Sequence, residues 1–123
     1  FYDGERNNAG YGSNPTTYTD EIGLMYPSDY GYAASPDAWA TNLSSYDNST
    51  ITPNNWLYMG LYEWTITPNS SDSRSVFYVY SYGDLDYYYA LLGYAARPVF
   101  YLKSNVALQG GNGTESDPYR LAV

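Results

Sequence analysis

The chain has 123 residues, a net charge of −8 with 5 Lys and Arg, and neither cysteine nor histidine. Disulfides, thiolate chemistry, the commonest general base and the commonest metal ligand are therefore excluded, and a partner that needs a Lys/Arg footprint, nucleic acid or an anionic membrane, is argued against. Residues 1–123 read as one domain long enough to bury a core, with aromatic residues at 20% and 18 tyrosines.

Residues 1–20 are rich in Gly, Asn, Thr and Tyr and read as irregular. Ile22-Gly23-Leu24-Met25-Tyr26 reads as a short buried strand, stopped by Pro27-Ser28-Asp29. Ser35 as N-cap with Pro36 behind it predicts a helix from Pro36 to about Tyr46. A polar loop follows over 47–55. Trp56-Leu57-Tyr58 and Glu63-Trp64-Thr65-Ile66 read as strands, the second ended by Pro68. Ser75 to Ser81 alternates with period two, with Val76, Tyr78 and Tyr80 facing one way and Phe77 and Val79 the other. Tyr82-Gly83-Asp84 reads as a turn, and 85–95 as a further strand and loop. Pro98 to Leu102 and Val106-Ala107-Leu108 read as strands, Gly110-Gly111-Asn112-Gly113 as a tight turn, and Pro118 to Leu121 closes the chain. Trp39, Trp56, Trp64, Met25 and Leu57 are the expected core. No apolar run is long enough to predict a membrane span, and no signal peptide is read.

The stretch from Ser73 to Pro98 carries the functional signal. It contains Tyr78, Tyr80, Tyr82, Tyr87, Tyr88, Tyr89 and Tyr94, with Asp, Ser, Gly, Arg, Leu, Ala and Val among them and no Lys, Glu, Gln, Met or Trp. Tyrosine offers rigid contact area with a polar tip, and small residues let the backbone adapt, as in binding loops. That much phenol is too much to bury with a partner for every hydroxyl, and exposed aromatic patches mark binding sites. Asp84 and Asp86 would suit glycoside hydrolysis or calcium as a carboxylate pair. In a tyrosine-rich loop they read better as turn and contact residues that bias the site toward basic partners. Arg74 is either a hot-spot contact or an ordinary surface charge. Arg97, beside Pro98, is expected to make structural hydrogen bonds. Asn42, Asn48, Asn69 and Asn112 lie in glycosylation sequons, which chains rich in Asn, Ser and Thr generate by chance.

Five phrases in order carry a resemblance: GLMYPSDYGYA from Gly23, NWLY from Asn55, WTITPNSS from Trp64, RPVFYLKSNV from Arg97 and GGNGTESDPYRL from Gly110. Together they resemble C-terminal domains of bacterial surface and pilin-like proteins with the C-type-lectin-like fold. The likeness is to the formylglycine-generating-enzyme-like branch, which supplies the variable proteins of diversity-generating retroelements. The resemblance covers nearly the whole chain. It implies a loop-rich α+β fold, mostly antiparallel β with one or two short helices, and a chain that is the C-terminal part of a longer protein. In such relatives the stretch before the RPV strand follows an Asn-rich pattern of the type VFNVNSNGNLNNNN. Here Val76, Phe77, Val79, Ser81, Gly83, Leu85, Arg97, Pro98 and Val99 keep the framework positions. Tyrosine and aspartate fill the Asn positions. Randomising adenines of an AAY codon yields Tyr, Asp, Ser, Arg, Leu, Phe, Ala or Gly, and never Lys, Glu, Gln, Met or Trp. The cysteine pair of many relatives is absent, which puts formylglycine-type catalysis out of reach. The Glu-Pro-Asn, Gln-Pro-Asp and Trp-Asn-Asp motifs of calcium-dependent lectins are absent too.

The expected function is thus non-enzymatic recognition of a protein ligand, at a bacterial cell surface or on a phage particle, with no cofactor and no metal. The expected variable surface is Arg74, Ser75, Tyr78, Tyr80, Tyr82, Asp84, Asp86, Tyr87, Tyr88, Tyr89, Leu91, Leu92 and Tyr94, with Tyr58 and Tyr62 as neighbours. Two alternatives stand beside it: a pilus or capsid subunit whose tyrosine patch is an assembly contact, and a glycan-binding lectin.

Overall fold

A computed structural model describes residues 20–39, 55–69, 71–114 and 116–122. In chain order they form β1 (Gly23–Leu24), α1 (Pro27–Tyr32), a 3-10 turn (Pro36–Ala38), β2 (Glu63–Pro68), β3 (Ser75–Val79), β4 (Leu85–Tyr89), β5 (Ala95–Ala96), β6 (Pro98–Val99), β7 (Ala107–Gly110) and β8 (Arg120–Ala122). The fold is sheet-dominated and loop-rich, α+β in class, with α1 the single α-helix among the described residues. The central sheet has four strands in the order β4-β3-β2-β5. β3 pairs antiparallel with both β2 and β4, while β2 and β5 are parallel. β1 pairs with β6, and β7 with β8, each antiparallel. Among the described residues no helix is long and apolar enough to cross a membrane.

α1 replaces the stop expected at Pro27. Proline suits the first helical position because its fixed φ matches the helix and its missing N–H has no intrahelical partner there. Asp29 Oδ2 accepts the Tyr26 N–H at 2.9 Å and closes the N-terminus from the third position. The strand expected over Ile22 to Tyr26 shrinks to Gly23–Leu24. The helix expected from Pro36 ends after Ala38, because Trp39 is extended at ψ 133° and Ser35 makes no side-chain capping bond. The remainder of that helix beyond Trp39, the polar loop as far as residue 54, and Asn42 and Asn48 lie outside the described residues. Trp56 and Leu57 form a turn where a strand was expected. Asn55 causes it: its Oδ1 accepts the Leu57 N–H at 2.9 Å, and its Nδ2 donates to Tyr30 O at 2.7 Å. The strand expected over Pro98 to Leu102 stops at Val99, since β1 offers it only two partners.

The core is built around Met25, Tyr30, Ala34, Val79 and Leu85, with Leu57 and Val99 packed against it. Tyr30 is fully buried, and its hydroxyl donates to Gly83 O at 3.0 Å. That bond joins α1 to the β3–β4 turn, where Gly83 has φ +99°, a value that favours glycine. Two of the expected core tryptophans are on the surface instead, Trp39 at 48% and Trp56 at 78% exposed. Trp39 lays its ring edge-on to Tyr32 and donates Nε1–H to Ala34 O at 3.0 Å. Trp56 sits on the Asn55 turn, which carries it outward.

β2 inverts the usual pattern, burying Glu63, Thr65 and Thr67 while Ile66 and Pro68 are exposed. Thr65 and Glu63 both find partners. Thr65 Oγ1 donates to Phe77 O at 2.7 Å. The Glu63 carboxylate, 4% exposed, takes Arg97 Nη2 at 2.8 Å on both oxygens. The same nitrogen donates to Leu57 O at 2.8 Å, so Arg97 has the structural role expected of it. Arg97→Ala strands a buried carboxylate, and a loss of roughly 3–5 kcal/mol is predicted in urea unfolding, with much of it restored when Glu63→Leu accompanies Arg97→Met.

Candidate functional site

The β2–β3–β4 register sorts the tyrosines. Trp64 lies opposite Tyr78, and Tyr78 opposite Asp86, so these three share one face. Val76 lies opposite Tyr88 and shares that face too. Tyr94 stacks on Trp64 with centroids 4.6 Å apart and on Tyr62 at 4.9 Å. Tyr80 meets Tyr62 edge-on at 4.8 Å, and Tyr82 extends the row at 5.4 Å from Tyr80. Trp64 Nε1–H donates to Leu92 O at 3.3 Å and anchors the loop that carries Tyr94. The floor of this row is Tyr78, only 4% exposed and in ring contact with Trp64, Tyr80 and Tyr94. Tyr82, at 62% exposed, is its most open member.

The expectation of one face for the whole stretch is corrected by strand alternation. Tyr87 lies opposite Phe77 and Tyr89 opposite Ser75, on the face that carries Val79 and Leu85. Beyond the packed core this face opens to solvent, with Tyr87 at 51% and Tyr89 at 37% exposed and Phe77 in edge contact with Tyr87. Arg74 lies over the Tyr89 ring at 4.9 Å and is held by Asp72, Nε to Oδ1 at 3.1 Å. Arg74, Tyr89, Ala90 and Leu91 line a shallow hollow of about 290 Å³. Tyrosine therefore occupies both faces and the outer end of the sheet.

Three expected contact residues are not freely presented. Ser75 is 4% exposed because its backbone and side chain turn into the Asp72 turn, whose carbonyl takes its N–H at 3.0 Å. Tyr78 is the buried floor just described. Tyr58 has its hydroxyl engaged with Ser81 O at 3.0 Å, which makes it a strut for the β3–β4 turn. Asp84, Leu92 and Tyr94 are half-buried, whereas Asp86, Tyr88 and Leu91 are exposed. Trp64, which the sequence suggested as core, is half-buried beneath this row. Its position opposite Tyr78 was available only once β2 and β3 were paired. A second concavity, about 410 Å³, lies elsewhere, between Met25, Tyr32, Trp56, Phe100 and Tyr101, and no sequence motif pointed to it. Among the described residues no cluster of acidic side chains is arranged to hold a metal ion.

Hydrogen bonding and burial pull the phenols apart. A bond from Tyr80 holds the Tyr62 phenol below its ordinary value, and the same bond raises Tyr80. Desolvation raises Tyr94. Burial, with Asp86 next in effect, pushes Tyr78 well above 10.0, and burial does the same to Tyr30. The bond from Arg74 keeps the Asp72 carboxyl low.

Comparison with protein-family models, with curated proteins and with solved structures gives no match to the chain.

Because Tyr30 and Tyr78 hold their protons more tightly when folded, their contribution is complete below the ordinary phenol value of 10.0 and is lost as pH rises beyond it. The melting temperature is predicted to fall from pH 9 to pH 11, and Tyr78→Phe to flatten that fall. An unchanged slope in the variant would contradict the assignment.

Proposed function

We propose that this chain is a non-enzymatic recognition domain with the C-type-lectin-like fold, presenting a tyrosine-rich surface to a protein ligand. The observation that carries the reading is the exposure of Tyr82, Tyr87, Tyr88 and Leu91 along the β3–β4 pair, whose Val79 and Leu85 are locked into the core. Rings left in water on a rigid strand pair are a cost to the free protein that binding removes. Tyr94 stacks on Trp64 and Tyr62 on Tyr78, while Tyr80 meets both Tyr62 and Tyr78, so their rotamers are fixed before a ligand arrives. Preorganised aromatic anchors of this kind carry most of the affinity in protein interfaces. With no cysteine or histidine in the chain, thiolate and imidazole chemistry have no residues to use.

The composition supports a further element of the reading, diversification by a retroelement. Tyr, Asp, Leu, Gly, Ala and Arg fill the exposed positions between 74 and 94, and each of them is reachable from an AAY codon by changing its adenines. The chain then works as one member of a repertoire, displayed at the C-terminus of a bacterial surface protein or on a phage particle. A carbohydrate-binding variant draws on the 410 Å³ concavity, where sugar rings would stack on Trp56 and Tyr101, both 78% exposed.

Sequencing the gene and its flanks across the source population tests the diversification. Differences are expected to cluster at codons 74 to 94 and to keep a final pyrimidine, with a near-copy bearing AAY codons nearby. Uniform codons and no near-copy would contradict it. For any bound protein ligand, truncating one anchor among Tyr80, Tyr82 and Tyr88 to Ala is predicted to cost roughly 2 kcal/mol of affinity or more, and its neighbours far less.

A further inference from the structure

We propose that the outer edge of β4 docks an extended, basic peptide segment of the protein partner as an added strand. The proposal rests on reading this surface as a recognition surface, and it specifies what is recognised and how. β4 is the end strand of the four-stranded sheet, and among the described residues its ladder bonds go to β3 alone.

The direction of its backbone groups follows from its neighbour. Phe77 O accepts Thr65 Oγ1–H at 2.7 Å, and Ser75 O accepts the Asn69 N–H at 2.9 Å, so both carbonyls turn away from β4. Bonded pairs flank them, with Ala90 N–H on Arg74 O at 3.0 Å and Tyr80 N–H on Asp84 O at 2.7 Å. In an antiparallel ladder the residues opposite such turned-away positions aim their own N–H and C=O outward. Those residues are Tyr87 and Tyr89.

Natural edge strands are usually protected by Lys, Pro, a bulge or a covering segment. β4, with the sequence Leu-Asp-Tyr-Tyr-Tyr, has no Lys or Pro, and its register with β3 runs without a shift. Its one guard is Asp86, whose Oδ1 accepts the Tyr87 N–H at 2.8 Å on the exposed side. An incoming carbonyl can displace that contact, and a Lys or Arg on the incoming strand can pair with the freed carboxylate.

The side chains suit a strand as occupant. Tyr88 and Asp86 stand on one face of the edge, Tyr87 and Tyr89 on the other. An added strand therefore meets phenol rings with each of its alternating rows. The hollow at Arg74, Tyr89 and Leu91 lies at the end of that track and takes one apolar side chain. A net charge of −8 favours a basic segment and makes a second, equally acidic copy of this chain a poorer occupant.

The test selects binders from a library of random short peptides displayed on messenger RNA, with the full chain as bait. Selected peptides are expected to be rich in Lys and Arg. N-methylating their backbone at the edge-facing positions is expected to weaken binding roughly ten-fold per blocked bond, with little effect at the alternate positions. Binding should slow hydrogen exchange at the Tyr87 and Tyr89 amides, and Asp86→Asn should remove the basic preference from a repeated selection. Binders that tolerate N-methylation everywhere and perturb only Tyr80, Tyr82 and Tyr94 would overturn the edge proposal and leave recognition standing. Failure to select any binder would overturn both. Self-association of the free chain that protects the same two amides would overturn the peptide in favour of a second copy.

Discussion

The ion pair between Glu63 and Arg97 is the interaction on which the rest of the structure depends. Glu63 lies in β2, next to β3 on one side and β5 on the other. Its carboxylate is 4% exposed, a placement that is costly unless the charge is matched. Arg97 supplies the match and also holds the Leu57 carbonyl. One guanidinium thereby ties together the central strand, the Asn55 turn and the chain between β5 and β6. With that junction fixed, β3 and β4 can extend outward from the core as a pair. Tyr30 and Tyr58 complete the support, since their hydroxyls hold the Gly83 and Ser81 carbonyls at the β3–β4 turn next to that junction. The consequence is a strand pair anchored by hydrogen bonds at its turn, with exposed side chains along Tyr87 to Leu91.

This separation of scaffold from surface explains how a chain with so much tyrosine can be stable. The tyrosines fall into two physical groups. Tyr30 and Tyr58 act through their hydroxyls at backbone carbonyls, and Tyr78 acts as a buried floor. Tyr82, Tyr87, Tyr88 and Tyr89 make few demands on the fold. Between the groups, Tyr94 stacks on both Trp64 and Tyr62, and Tyr80 meets Tyr62 edge-on, so the three present firm faces while half in water.

Much of this was legible in the sequence where alternation and turn chemistry act locally. β2, β3 and the Gly83 turn stand where period two and glycine put them, and Arg97 has the role its place beside Pro98 suggested. What failed depended on partners distant in the chain. Pro27 reads equally as a strand stop and as a helix start, and the Asp29 bond to the Tyr26 amide decides it. The burial of Glu63 and Thr65 depends on Arg97 and the Phe77 carbonyl, both distant in the chain. Sequence alone groups Tyr87 and Tyr89 with Tyr78, because counting along one strand does not give the register with its neighbour. Trp39 and Trp56 read as core in the sequence, yet both are exposed. A single hydrogen bond or turn was enough to leave each ring at the surface.

The most direct test of this account is a saturation scan of residues 60 to 97 read by protease resistance on displayed protein, with no ligand present. The account predicts that Tyr82, Asp86, Tyr87, Tyr88, Tyr89 and Leu91 accept nearly every substitution without losing resistance. It predicts that Glu63, Val79, Gly83, Leu85 and Arg97 accept almost none. Loss of folding on replacement of the exposed tyrosines, at a level matching Val79 or Leu85, would mean that they are core, and the separation of scaffold from exposed surface would be wrong.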